Sequence, residues 1–461
     1  MALDRILSQK RAEVAFAKRE HPVSRLLEGL HRTDRGFAGT IGREHTGFVL
    51  ECKRRSPSEG TIREDLDPEG VTLAYSPFAD AISVVTDGRF FGGSLLDLRR
   101  SRACTHLPVL RKDFILEPYQ VVEARASGAD AVLLMLSVLD DAVWRACSVA
   151  AAECGMDVLT EVHTREELER ALALGARIIG INTRDLETMR IDLGIVEELA
   201  PRVPPERLVV VESGIQSHAD VAALRRHADA FLVGTSLMRE PDLDHAIRRL
   251  VFGDVKVCGL ARPKDARAAW NAGATWGGLV FAAESPRYID VDAAHDVREA
   301  APLWWAGVFV NERPERIGAI ARTLELAAVQ LHGEEEPGAI AAVRDAIPDG
   351  CEIWKAVRVR DGGSVPRLSE TGADRLLLDA FDPRARGGTG ASFEWAVASR
   401  HPDRRELVMA GGLDPRNAVI ADAVGVGMLD VNSGVEDAPG IKNRDRLDAF
   451  FAALRGTGRE R

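Results

Sequence analysis

The stretch LGARIIGIN, residues 174–182, decides the fold. An amphipathic, Ala-rich helical segment runs into it, and Gly175 stands where a left-handed residue closes the last turn of such a helix. The run IIGIN then follows without polar alternation, the pattern of a parallel strand covered on both faces. The same unit recurs in SGADAVLLM (127–135), HADAFLVG (227–234), AGATWGGLVF (272–281) and TGADRLLLD (371–379).

Counting such runs gives eight in the first half of the chain, at 47–53, 81–86, 108–113, 131–135, 157–162, 178–182, 208–213 and 230–234. The second half gives eight more, at 254–259, 277–281, 305–310, 328–332, 352–357, 375–379, 406–410 and 428–431. Eight strands alternating with helices is the count of a (β/α)₈ barrel. The expected fold is α/β, two tandem (β/α)₈ TIM barrels over 1–253 and 254–461. The helix DLDHAIRRLVFG (242–253) runs directly into the strand DVKVCG (254–259), so no flexible linker separates them. A single open doubly wound sheet would need a Gly-x-Gly-x-x-Gly turn after its first strand, and neither half has one there.

The 461 residues carry a net charge of −11, which argues against a nucleic-acid partner. It leaves room for small anions, which backbone N–H groups and a few lysines bind locally. The six cysteines, at 52, 104, 147, 154, 258 and 351, form no Cys-x-x-Cys pair and read as reduced thiols of a cytoplasmic protein. The first residues, MALDRILSQKRAEVAFAKRE, form a charged amphipathic helix rather than a signal peptide. The apolar runs near 131–139 and 300–310 fall short of the roughly 20 residues that span a bilayer, so no membrane partner is expected. Whether residues 1–46 cap the barrel bottom or help form its mouth stays open.

Barrel enzymes do chemistry at the C-terminal strand ends. In the first half those ends carry Glu51 and Lys53, Lys112 and Asp113, Glu161, Asn182 and Arg184, and Glu212. Ser56 lies in the loop RRSPSEG that follows the first strand. Three carboxylates and two lysines on one mouth are costly to bury unless they form a site. The two lysines should also repel, making one easier to deprotonate. Ser213-Gly214 and Gly234-Thr235, after strands seven and eight, suit a phosphate held by backbone N–H groups, although glycines there also simply make tight turns.

The second half repeats the phosphate pattern with Gly411, Gly412, Asn432, Ser433 and Gly434. Cys258 ends its first strand and Asp379 its sixth, a base and acid pair if the thiol is not inert core. A thiolate base needs a lowered pKa, available beside cations. Arg287 suits a carboxylate, and His332 reads equally as a site residue or a hydrogen-bonded core histidine.

These motifs resemble two enzyme families of the tryptophan pathway. Residues 1–253 resemble indole-3-glycerol-phosphate synthase in LECKRRSPSEG (50–60), ISVVTDGRFFGGS (82–94), PVLRKDFI (108–115), LTEVHT (159–164), GINTRDL (180–186), VESGI (211–215) and FLVGTSLM (231–238). Residues 254–461 resemble phosphoribosylanthranilate isomerase in VKVCGL (255–260), SPRYI (285–289), GVFVN (307–311), VQLHGEE (329–335), LLLDAF (376–381), GGTG (387–390), AGGL (410–413) and DVNSGVE (430–436). The resemblance implies an Amadori rearrangement in the second half, then a ring closure with loss of carbon dioxide and water in the first.

It also implies phosphorylated anthranilate-sugar substrates and no metal or organic cofactor. A monomer is expected and, because the two mouths are built separately, release of the intermediate to solvent. Lys112 resembles the general acid on the substrate carbonyl and Glu161 the acid/base of dehydration. Glu51 and Lys53 would stabilise charge during ring closure. Asn182 and Glu212 join that catalytic group and, with Ser56 and Arg184, line the anthranilate pocket. Ser213, Gly214, Gly234 and Thr235 would hold phosphate. Cys258 resembles the general base at C2′, Asp379 the general acid on the ring oxygen, and Arg287 the holder of the anthranilate carboxylate. Thr183 and Ala261 depart from the family pattern, which puts local loop hydrogen bonding in question. On the residues alone, a glycosidase, a Schiff-base aldolase using Lys112, and a degenerate scaffold barrel are the rival readings.

Overall fold

The structure, a computed structural model, describes residues 2–185, 188–359, 365–380 and 395–459. It divides into two compact units, parting at Val251/Phe252, close to the join read from the sequence. The last described residues, from Thr457, belong to the first unit.

In the first unit eight parallel strands close a barrel: β1 (Gly47–Cys52), β2 (Ala81–Val85), β3 (Val109–Lys112), β4 (Ala131–Met135), β5 (Asp157–Val162), β6 (Ile178–Asn182), β7 (Leu208–Glu212) and β8 (Ala230–Val233). Closure is made by β1, which pairs Gly47 with Ala230 on one side and Val49 with Ala81 on the other. The second unit closes a second barrel: β9 (Val255–Val257), β10 (Trp276–Val280), β11 (Trp304–Phe309), β12 (Ala328–Leu331), β13 (Glu352–Val359), β14 (Arg375–Ala380), β15 (Leu407–Met409) and β16 (Met428–Val431). The strand read at 254–259 is therefore shorter than expected. Gly259 turns left-handed at φ +69°, so pairing stops and Cys258 stands at the rim. The run at 406–410 also starts late, because Arg404–Glu406 forms a 3₁₀ turn.

Side chains alternate across a strand, so interior residues come two apart. Val49, Leu110, Leu159, Val210 and Leu232 share one apolar core. Two residues further along the same strands stand Glu51, Lys112, Glu161, Glu212 and Gly234. The second barrel follows the same rule. Trp276, Ala328, Leu377 and Met428 form its core with Trp354, whose ring centroid is 4.8 Å from that of Trp276. Above them come Gly278, Gln330, Asp379 and Asp430.

The N-terminal extension does two jobs. The helix α1 (Ala2–Glu20) lies at the mouth: Lys10 Nζ is 2.9 Å from Asp87 Oδ2 and 2.8 Å from Asp113 Oδ1. Both aspartates follow barrel strand ends. The short helix Phe37–Ile41 closes the opposite end, with Phe37 and Ile41 fully buried in the barrel core and Ala38 N donating to Asp157 Oδ2 at 2.9 Å. The C-terminal tail joins it there: Thr457 bridges His45, Gly458 N donates to Glu44 O at 3.0 Å, and Arg459 N to Ala228 O at 2.9 Å. Among the described residues no helix is long and apolar enough to cross a membrane.

Asp113 anchors the mouth of the first barrel. Burial would raise its carboxyl, but Arg111 and Lys10 outweigh that and hold it down to about 2. A depressed carboxyl contributes stability above its ordinary value of 3.8, and that contribution is lost as pH falls through it toward 2. Replacing Lys10 by Met leaves Asp87 without this partner inside the protein. We expect a loss of about 3 kcal/mol, read as an earlier urea midpoint for the first unit's activity.

Candidate active sites

The first mouth gathers its charges around Lys112. Its Nζ lies 3.2 Å from Glu212 Oε2 and 3.5 Å from Glu161 Oε2, while Lys53 Nζ lies 2.8 Å from Glu51 Oε1. Burial acts to lower Lys112, as the sequence reading expected of lysine repulsion. Glu212, Glu161 and Glu51 outweigh it and hold the ammonium well above its ordinary range. The expectation of an easily deprotonated lysine is therefore overturned, because three carboxylates count for more than one neighbouring cation. Burial also acts to raise Glu51, yet Lys53 and Lys112 hold its carboxyl below the ordinary value. Glu212 goes the other way: burial and the adjacent Glu161 push it up to about 7 against the pull of Lys112.

Two glycines make this crowding possible. A Cβ on Gly180 would stand 2.1 Å from Glu212 Oε1, and one on Gly234 would stand 2.5 Å from Glu51 Oε1. Ser56, Asn182 and Arg184 come together beside the charges. Asn182 Oδ1 accepts from Arg184 N at 3.0 Å, and the Arg184 guanidinium lies 3.3 Å from Ser58 Oγ, itself 3.3 Å from Ser56 Oγ. The loop holding the serines is a small hairpin, Arg55–Ser56 paired with Gly60–Thr61. Ser213 and Gly214 are both left-handed, at φ +66° and +78°, and Ser236 Oγ donates to Ile215 O at 3.0 Å, tying the turns after β7 and β8 together. Thr183, one of the departures from the family pattern, answers the question it raised: its hydroxyl donates to Ser213 O at 3.1 Å.

In the second unit Cys258, Arg287, His332, Asp379, Gly411, Gly412, Asn432 and Ser433 line one open cavity. Gly434 stands behind them, where a Cβ would strike Leu413 O at 2.0 Å. His332 Nε2 is 3.3 Å from Asp379 Oδ2, and both side chains line that cavity. Arg287 presents Nε and one terminal nitrogen to Glu436, at 3.1 and 2.7 Å. Burial pushes the Cys258 thiol up, and Lys256 and Lys442 pull it back only in part. The lowered thiol read from the sequence is thus not what this structure holds. The motif GGTG (387–390) lies outside the described residues.

Besides Glu436, four further charged or titratable neighbours escaped the sequence reading. His163 Nε2 is 3.4 Å from Glu161 Oε1, two residues along the same strand direction. Lys256 and Asp430 sit two residues before Cys258 and Asn432, so the strand period carried a signal for both. Lys442, whose Nζ reaches Asn432 Oδ1 at 2.9 Å, comes from a distant hairpin and had no signal.

Residues 3–250 match the indole-3-glycerol phosphate synthase family. Residues 255–453 match the N-(5′-phosphoribosyl)anthranilate isomerase family. A tryptophan biosynthesis protein TrpCF of Yersinia pestis is 44% identical over 98% of this chain and 94% of its own length. That of Vibrio cholerae is 43% identical over 98% of this chain and 96% of its own. The chain belongs to both families, with the synthase unit first and the isomerase unit second.

The glycine at 180 offers a clean test of the first site. Gly180→Ala must displace the Glu212 carboxylate from Lys112. We expect synthase turnover to fall about 10²-fold while the protein remains folded by circular dichroism.

Proposed function

We propose that the two mouths catalyse consecutive steps of tryptophan biosynthesis with separate residues. The second unit converts N-(5-phosphoribosyl)anthranilate to 1-(2-carboxyphenylamino)-1-deoxyribulose 5-phosphate. The first closes the indole ring of that product with loss of carbon dioxide and water. The observation that carries this reading is the convergence of Glu51, Lys53, Lys112, Glu161 and Glu212 within one barrel mouth, inside the span that matches the synthase family.

In the isomerase unit Asp379 gives its proton to the ribose ring oxygen as the ring opens, and the Cys258 thiolate takes the proton from C2′. One proton leaves the protein and one enters, each step contributing about 10²–10⁴-fold. The turns at Gly411–Gly412 and Asn432–Gly434 hold phosphate. Arg287 meets the anthranilate carboxylate with the edge that Glu436 leaves open.

In the synthase unit Lys112, held as an ammonium, polarises and protonates the substrate carbonyl. Glu161 exchanges the proton of dehydration. Glu51 with Lys53, and Asn182 with Glu212, stabilise charge and position the ring, while Ser56 and Arg184 flank the anthranilate. Ser213, Gly214, Gly234 and Thr235 hold phosphate. A Schiff-base aldolase needs a neutral lysine, and the carboxylates around Lys112 work against that. The same reading takes the chain as a monomer of the cytoplasm.

Given phosphoribosylanthranilate alone, the protein should produce indole-3-glycerol phosphate. Cys258→Ser should abolish the first step only, and Lys112→Ala the second only. Equal loss of both activities in either variant would refute separate sites. The pH profile adds a second check. Glu212 carries its proton below about 7, withdrawing a charge from Lys112. Synthase kcat/KM should fall as pH drops through that value, and Glu212→Gln should flatten this limb at its low plateau.

A further inference from the structure

Lys256 is completely buried inside the second barrel. Its ammonium has three N–H donors and no acceptor. Nζ lies 2.8 Å from Asp430 Oδ2 and 3.0 Å from Gln330 Oε1, and its charge pulls the Cys258 thiol down against burial. The strand period puts Lys256 and Cys258 on the same interior face. No side chain separates them from the neighbouring strand: a Cβ on Gly278 would stand 2.8 Å from Cys258 Sγ and 2.9 Å from Lys256 Cε.

The same ammonium decides an orientation on the other side of the cavity. Because Lys256 can only donate, Gln330 must offer it the amide oxygen. The amide nitrogen then faces His332 Nδ1 at 2.9 Å. An amide NH₂ can only donate, so Nδ1 is the bare nitrogen and the neutral ring carries its proton on Nε2. That proton stands on the nitrogen 3.3 Å from Asp379 Oδ2. One buried cation therefore reaches both the thiol and, through two side chains, the carboxyl on which the proposed rearrangement turns.

We propose that Lys256 is the positioning residue of the isomerase site: its ammonium holds the Cys258 thiolate that accepts the substrate proton, and through Gln330 it fixes His332 against Asp379. The inference rests on the reading of Cys258 as base and Asp379 as acid. Lys256 stays protonated throughout. As Asp379 gives up its proton, the Nε2–H of His332 meets the new carboxylate. Among the described residues, Asp430 on β16 opposes the thiolate and Lys442 favours it, while Arg287 packs against the neighbouring Gly259 in the same cavity.

A purely structural role is the alternative: Lys256 would only neutralise Asp430. The double variant Lys256→Met/Asp430→Asn separates the two, because it removes the pair without leaving a buried charge alone. The full chain carries the experiment, with synthase turnover as the folding control. Iodoacetamide alkylation of Cys258, followed by mass spectrometry of its peptide, reads the thiolate directly. We expect alkylation at neutral pH to slow about tenfold in the double variant. Isomerase kcat should fall about 10²-fold with KM within about threefold of wild type. An alkylation rate within about twofold of wild type overturns the proposal whatever the kcat. Cys258→Ser distinguishes the failures. If that variant retains isomerase turnover, the base itself is wrong and this inference falls with it. If it is silent while alkylation in the double variant is unmoved, only the role of Lys256 is refuted.

Discussion

A cation enclosed in a closed barrel has to be surrounded by acceptors, and both units are organised around that requirement. Leaving a buried ammonium without partners costs several kcal/mol. In the first unit Lys112, partly buried at the mouth, meets it with Glu212 and Glu161. In the second, Lys256 meets it with Asp430 and Gln330. In each case the acceptors arrive from different strands, so the charge pairs also hold the register of the mouth. The consequence for chemistry differs. Around Lys112 the anions keep the cation charged and push one of their own number, Glu212, up to about 7. Around Lys256 the cation pulls down a thiol that burial still holds above its ordinary range.

Such crowding needs empty positions as much as occupied ones. Gly180, Gly234 and Gly278 all lie where a methyl group would overlap a charged or sulfur-bearing side chain. Each faces the barrel interior in the layer above the apolar core. The glycines serve close approach of side chains rather than unusual backbone geometry, a use of the residue quite distinct from the left-handed turns at Gly259 or Gly214.

The first barrel is also closed from outside its strands. Lys10 crosses from α1 to two aspartates that follow strand ends, and one of them, Asp113, is the next residue after Lys112. At the opposite end Phe37 and Ile41 plug the core, and Thr457 to Arg459 pair with the backbone beside them. These two contacts answer the question left by residues 1–46, which reach the mouth and the bottom alike. Neither was legible beforehand, since an amphipathic helix and a short tail carry no mark of the surface they meet.

The sequence by itself determined the architecture and most of the cast. Continuous apolar runs after helix-closing glycines, at 174–182 and its repeats, dictate parallel strands, and the count of eight in each half dictates closure. The polar residues at strand ends follow from the same reading, because the two-residue period puts Glu51, Lys112, Glu161, Glu212, Cys258 and Asp379 on interior faces. Only the tertiary structure decided how these groups act on one another. The protonation of Lys112, the occupied edge of Arg287 and the tautomer of His332 depend on Glu212, Glu436 and Lys256, residues brought close from other strands or distant loops. Electrostatic effects fall off with distance and rise with burial, and neither quantity is written along a chain until it has folded.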